Sequence, residues 1–145
     1  MTWLAIPENK SARIGPEAAK SQEHRLRILI VENEFLIALE LENRLLDAGF
    51  NVVGIAATAE EAISPAASES PDLAITDIRL AGRKDGVDTT IELLATLGLR
   101  SIFSSAHAGD ADTQNRAKPA RPIGWLQKPY PASALIGLIR TYLAG

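Results

Sequence analysis

Arg27-Ile28-Leu29-Ile30-Val31-Glu32-Asn33-Glu34 is the stretch on which the reading of this chain turns. Its aliphatic run has no polar alternation, which fits a strand buried on both faces, the state of a strand inside a parallel sheet. The run stops on polar residues, and the same punctuation recurs downstream. Leu73-Ala74-Ile75-Thr76 stops on Asp77, Ile102-Phe103-Ser104 on Ser105, and Trp125-Leu126-Gln127 on Lys128. Segments of helical spacing separate the runs, so the order is strand–helix–strand and the strands are parallel. In an open parallel sheet the carboxyl ends of the strands share one edge, and ligands bind there. Two carboxylates, a hydroxyl and an ammonium therefore meet at that edge, a set suited to phosphoryl and metal chemistry.

The spacing predicts a helix over 35–48 with Ile37, Leu41, Leu45 and Ala48 on one stripe and Gly49 as its left-handed cap. A second strand follows over 52–56. Thr58-Ala59-Glu60-Glu61 has the form of a capping box and opens a second helix, which Pro65 is expected to shorten or kink. The strand at 73–76 leads through a loop, 78–86, into a helix with Val87, Ile91 and Leu94 inward and Gly98 as its stop. After the strand at 101–104, only a short helix fits over 110–118 before Pro119 and Pro122. A fifth strand spans 123–126, and Pro131 opens a last helix with Leu135, Leu138, Ile139 and Tyr142 apolar. Right-handed crossovers then give a three-layer αβα sandwich.

The chain has 145 residues, 46% hydrophobic and 23% charged, which suits one domain with a short appendage. A net charge of -3 without runs of Lys or Arg gives no reason to expect nucleic acid or a membrane surface as partner. The absence of cysteine excludes disulfides and thiolate metal sites. The apolar Trp3-Leu4-Ala5-Ile6 is too short for a signal-peptide core, and no stretch reaches the length of a bilayer. The expectation is a soluble, cytoplasmic protein. Residues 1–25 mix Pro, Gly and charges and read as an N-terminal extension ahead of a domain over 26–145. A short helix from Pro16 to Gln22 fits there, and Trp3, Leu4 and Ile6 could dock on the domain or on a second copy.

With these residues in hand, the four strand-end segments resemble, in order and spacing, the receiver domain of bacterial two-component response regulators. The resemblance implies a flavodoxin-like fold with a five-stranded parallel sheet in the order 2-1-3-4-5. It implies Asp77 as phosphoacceptor, taking its phosphoryl group from a sensor histidine kinase or a histidine phosphotransfer protein. Glu32, Asp77 and the backbone carbonyl of Arg79 would hold Mg2+ (or Mn2+), with Asn33 as a further candidate ligand. Lys128 would pair with the phosphoryl oxygens and Ser105 would hydrogen-bond one of them. Ser104 is adjacent, but the following Ala106 favours Ser105. Trp125 stands where the family often has an aromatic switch residue, and a cis Lys128-Pro129 bond would support the lysine. Beyond phosphoryl transfer to and from its own Asp77, the resemblance implies no enzymatic activity.

Elementary chemistry is consistent with those roles. A carboxylate attacks an anionic phosphoryl group poorly because the charges repel; a hard cation and an ammonium offset that repulsion. Mg2+ keeps several waters, so two or three protein oxygens suffice. Arg79 and His107, flanking Asp77 and Ser105, are placed to tune the lifetime of an acyl phosphate.

Two features depart from the pattern. The family usually carries two acids at the end of the first strand, and here the second is Asn33, which predicts weaker Mg2+ binding. The last helix also runs to the final residues of the sequence. The expectation is a stand-alone receiver whose output is a phosphorylation-dependent protein contact, for which a homodimer is one form. The short, proline-bounded fourth helix is the candidate switching element. The rival is a phosphorylation-independent docking module, favoured by Asn33. A flavodoxin-like nucleotide or flavin binder fits less well, because no Gly-rich phosphate loop follows the first strand.

Overall fold

A computed structural model of the chain describes residues 25–145; the helix and docking residues expected within 1–24 lie outside the described residues. Strands β1 (Arg27–Val31), β2 (Asn51–Ala56), β3 (Leu73–Asp77), β4 (Ser101–Ser105) and β5 (Gly124–Gln127) form one parallel sheet in the order β2-β1-β3-β4-β5. They alternate with helices α1 (Phe35–Asp47), α2 (Ala59–Glu69), α3 (Gly86–Leu97), α4 (Ala111–Ala117) and α5 (Ala132–Ala144), with a 3-10 turn at Lys118–Ala120. This is the three-layer αβα sandwich that the strand runs predict, in the flavodoxin-like strand order that the family resemblance implies.

Alternation along the strands sends side chains to two packed faces. Ile28, Ile30, Ile75, Ile102 and Leu126 meet Leu41 and Leu45 of α1 and Leu135 and Ile139 of α5. Leu29, Val31 and Ala74 meet Ala62 and Ala66 of α2 and Leu93 of α3. Each fully buried Ile or Leu contributes about 1.5–3 kcal/mol of apolar transfer.

Several helix details differ from expectation. On α1, Ala38, Leu41 and Leu45 are buried, whereas Ile37 is 37% exposed. On α3, Leu93 rather than Leu94 is fully buried, on a stripe shared with Val87 and Thr90. That stripe is hidden in the sequence because it includes a threonine, whose hydroxyl satisfies itself on the Val87 carbonyl at 2.9 Å. Helix α2 runs unbroken through Pro65 for 11 residues. Its Pro65 lies against Gly54 of β2, where a Cβ would come within 3.3 Å of the proline Cβ, so the ring is seated on a residue that leaves it room. Thr58 caps α2 by accepting from Glu61 N at 3.1 Å, but Glu61 reaches back to Ala57 N rather than to Thr58. Asp110 and Pro131 stand just outside their helices as N-caps. Gly49 and Gly98 adopt the expected left-handed conformation, and the Lys128–Pro129 bond is cis.

Candidate functional site

Asp77 closes β3 and is 9% exposed. The loop after it is fastened from two sides. Gly86 N donates to the Ile78 carbonyl at 2.6 Å, and Ala81 makes a bridge with Thr58 beside α2. Gly86 is required here: a Cβ would sit 1.9 Å from the Asp77 main-chain oxygen. The return of the chain at α3 therefore presses directly on the backbone that carries Asp77. A reciprocal Asp85–Asp88 capping box and an Arg116 guanidinium on Asp85 fix the start of α3.

Glu32, 5% exposed, follows β1, with its backbone N–H bonded to the Ala56 carbonyl of β2. Lys128 follows β5 and reaches back across the edge. Its Nζ donates to Glu32 Oε1 at 2.8 Å and to Asp77 Oδ2 at 3.2 Å. Burial pushes the Glu32 carboxyl above its usual range, an effect that the Lys128 bond and the Glu34 amide offset only in part. Burial alone would lower the Lys128 ammonium, but its bond to Glu32 and the Asp77 charge hold it above the usual lysine value. Glu32, Asp77 and Lys128 thus come together at one edge.

Ser104 and Ser105 part company. Ser104 Oγ donates to the Tyr130 hydroxyl at 3.2 Å, which ties the segment after Lys128 to β4. Ser105 Oγ accepts from His107 N at 3.0 Å and lines a cavity of about 590 Å3 together with Ile78, Arg79, His107 and Gln127. The hydroxyl facing this cavity belongs to Ser105. Trp125 is half-buried and stacks on Phe103 with ring centroids 4.5 Å apart, beside Val87 and Ala117. Asn33 is exposed. Among the described residues no group of three His, Cys, Asp or Glu side chains converges. The two buried carboxylates, Glu32 and Asp77, are hard oxygen donors held by the same Lys128, which fits a hydrated Mg2+.

Sequence reasoning passed over three residues. Gly86 appears in the sequence only as a glycine after Asp85, with nothing to say that it abuts Asp77. Tyr130 reads as an ordinary aromatic before the last helix. Gln127 reads as a strand residue, yet its side-chain amide accepts from Ala108 N at 2.9 Å and donates to the Ala106 carbonyl. Its one sequence signal is a polar amide inside an apolar run, beside Lys128.

Comparison with known proteins places this geometry. Residues 28–140 match the family model of the response regulator receiver domain. Transcriptional regulatory protein PdtaR of Mycobacterium tuberculosis is 34% identical over 113 residues, 78% of this chain and 54% of that protein. Phyllosphere-induced regulator PhyR of Methylorubrum extorquens is 39% identical over 110 residues, 75% of this chain and 41% of that protein. The chain spans about half the length of these curated relatives. Among solved structures, the signal receiver domain of a modulated diguanylate cyclase from Desulfovibrio desulfuricans G20 superposes with a TM-score of 0.76 at 37% identity, covering 83% of this chain and 94% of that one. The receiver domain of PhyR from Erythrobacter litoralis gives 0.73 at 30% identity, covering 83% and 91%.

Proposed function

The chain belongs to the response regulator receiver domain family, and from that premise we propose that it accepts a phosphoryl group on Asp77 from a phosphohistidine of a sensor kinase or phosphotransfer protein. The observation that carries this reading is the Lys128 ammonium bridging Glu32 and Asp77 at the strand ends. An Asp77 carboxylate oxygen attacks phosphorus, the P–N bond breaks as the P–O bond forms, and the imidazole leaves with the electron pair and takes up a proton. Lys128 is already within reach of the acceptor carboxylate and neutralises charge on the transferred oxygens. Ser105, its oxygen accepting from His107 N, keeps its own proton free to donate to a phosphoryl oxygen. Glu32, Asp77 and the Arg79 carbonyl, with Asn33 beside them, would hold Mg2+ or Mn2+, which when bound offsets the repulsion between carboxylate and phosphoryl group. Arg79 and His107 line the cavity beside Ser105 and are placed to tune the lifetime of the acyl phosphate.

The partner surfaces follow from exposure. Phe35 is 68% and Leu36 78% exposed at the start of α1, on the same sheet edge as Asp77. A groove of about 230 Å3 lined by Ile37, Leu41, Pro129 and Tyr130 together with the charged Glu40, Arg44 and Lys128 adjoins them. The exposed Phe35 and Leu36 beside this mixed groove suit docking of the protein that donates the phosphoryl group. The output is a phosphorylation-dependent protein contact on the face of α4, β5 and α5, with Trp125 and its Phe103 stack linking that face to the site. A second reading, a phosphorylation-independent docking module, is favoured by Asn33, an exposed amide where a second acid would strengthen the metal site.

Intact mass after incubation with acetyl phosphate and Mg2+ tests the two. A gain of one phosphoryl group in wild type and none in Asp77→Ala supports the receiver chemistry. A folded protein that gains nothing from acetyl phosphate or from a phosphohistidine donor supports the docking module.

A further inference from the structure

The loop between β4 and α4 follows Ser105, the last residue of β4, and its middle residue, Ala108, is 5% exposed. A buried main-chain amide has to find partners, and a loop offers no ladder to supply them. Here they come from two glutamine side chains. Gln127 Oε1 accepts from Ala108 N at 2.9 Å, while Gln127 Nε2 donates to the Ala106 carbonyl. Gln114 of α4 donates through Nε2 to the Ala108 carbonyl at 2.6 Å. The remaining loop bonds are His107 N to Ser105 Oγ at 3.0 Å and Asp110 N to the His107 carbonyl at 3.1 Å. The Gln127 amide is thus engaged as donor and as acceptor on the same loop, which fixes its orientation. It also directly precedes Lys128, whose own N–H holds the Ser105 carbonyl at 2.8 Å.

We propose that Gln127 is a positioning residue of the phosphoryl site: its side-chain amide holds the loop so that Ser105 presents its hydroxyl proton to the cavity, and through Ala108 and Gln114 it couples that hydroxyl to α4. This rests on the phosphoryl reading above. A serine hydroxyl has one proton to give and two lone pairs to offer. While the loop is braced, His107 N–H occupies a lone pair and leaves the proton for a phosphoryl oxygen. Without the brace, the exposed Ala106 carbonyl can turn to water, but the buried Ala108 N loses its partner and the loop has to rearrange to satisfy it. The Ser105–His107 bond is then no longer held. Two polar routes join the loop to α4: Ser105 through His107 to the N-cap Asp110, and Gln127 through Ala108 to Gln114.

The test compares wild type, Gln127→Met and Gln127→Glu in the full chain. Methionine keeps the bulk and loses all three side-chain bonds, the third being from Nε2 to the Lys128 carbonyl at 3.3 Å; glutamate still accepts from Ala108 N and cannot donate to the Ala106 or Lys128 carbonyl until it is protonated. Two readouts are needed: the rate of acyl phosphate formation from acetyl phosphate and Mg2+, and amide spectra before and after loading with beryllofluoride and Mg2+. The expected result is loading about three- to tenfold slower in Gln127→Met, the range that loss of one or two hydrogen bonds commands. The Gln127→Glu rate, taken as a ratio to wild type, recovers as pH falls and glutamate regains a proton, which a merely structural role would not produce. In wild type, α4 amides including Gln114 shift on loading, and in Gln127→Met they do not. Wild-type rate and wild-type α4 shifts in Gln127→Met would overturn the proposal. Failure of wild type to load would overturn the phosphoryl reading and with it the role given to Gln127. The Ala108 amide signal of the unloaded protein then decides separately whether the brace exists.

Discussion

Lys128 Nζ donates to Glu32 Oε1 at 2.8 Å across 96 positions of sequence. The pair joins the ends of β1 and β5, with Asp77 of the intervening β3 at 3.2 Å from the same nitrogen. Lys128→Met would leave two buried carboxylates facing one another without their cation, and Glu32, already raised by burial, would rise further. A carboxyl whose folded pKa lies above its unfolded value contributes stability that is fully present below the ordinary value of 4.5 and lost as pH rises through the folded one. The variant's deficit against wild type should therefore grow from acid toward neutral pH. It should reach about 1–3 kcal/mol near neutrality, less than for a fully buried pair because the Lys128 side chain is 20% exposed. Urea unfolding across that range measures it, and a deficit independent of pH would contradict the assignment.

Gly86 and Asp77 make a second prediction. A methyl group at residue 86 would meet the Asp77 carbonyl oxygen at 1.9 Å, and both atoms belong to backbone that cannot rotate away. Gly86→Ala should cost about 2–3 kcal/mol, the scale of overpacking at a tight site. It should also slow phosphoryl loading, since the strand end that aims Asp77 has to shift. Calorimetry and intact mass read the two effects. An unchanged melting midpoint would mean that residue 86 does not press on the Asp77 backbone.

Much of this architecture is legible in the sequence because parallel strands buried on both faces read as unbroken aliphatic runs, as in Ile28–Val31. Polar residues at the ends of such runs mark the site edge, so Glu32, Asp77, Ser105 and Lys128 all stand out. What escapes is whatever depends on a partner far along the chain. Thr90 belongs to the core stripe because its hydroxyl is satisfied by its own helix, so a purely apolar pattern selects Leu94 over Leu93. Pro65 reads as a break, and only the glycine opposite it in β2 shows how the ring is seated. Gln127 acts on main-chain atoms 19 and 21 positions away, which no side-chain pattern records.

Arg116 of α4 reaches Asp85 Oδ2 at 2.5 Å and Asp88 at 3.4 Å, so the short fourth helix is pinned to the start of α3. Burial alone would raise the Asp85 carboxyl, but the Arg116 bond and the Asp88 amide outweigh it and hold the group below its ordinary 3.8. A carboxyl lowered in the folded state contributes stability that is present above 3.8 and lost as pH falls through the folded value. Arg116→Ala should cost only about 0.5–1 kcal/mol near neutral pH, because the pair is partly exposed and screened. The difference from wild type should fade in acid, and hydrogen exchange in α4 should quicken. A gap that persists below that pH would place the effect in packing rather than charge.

Asn33 offers the sharpest test of the proposed metal site. It is an exposed, uncharged amide directly after the buried Glu32, so a divalent cation entering at Glu32 and Asp77 meets two formal negative charges, already partly balanced by Lys128. Asn33→Asp adds a third. Hard cations are drawn by ligand charge as well as by oxygen count, so the variant should bind Mg2+ at least several-fold more tightly. It should also load from acetyl phosphate at lower Mg2+ concentration than wild type. Trp125 reports the titration once Trp3, the second tryptophan in the chain, is replaced by phenylalanine in both proteins. Equal affinities would mean that residue 33 stands outside the metal's reach. Glu32 and Asp77 would then carry the site alone, and the missing acid would not account for any weakness in its phosphoryl chemistry.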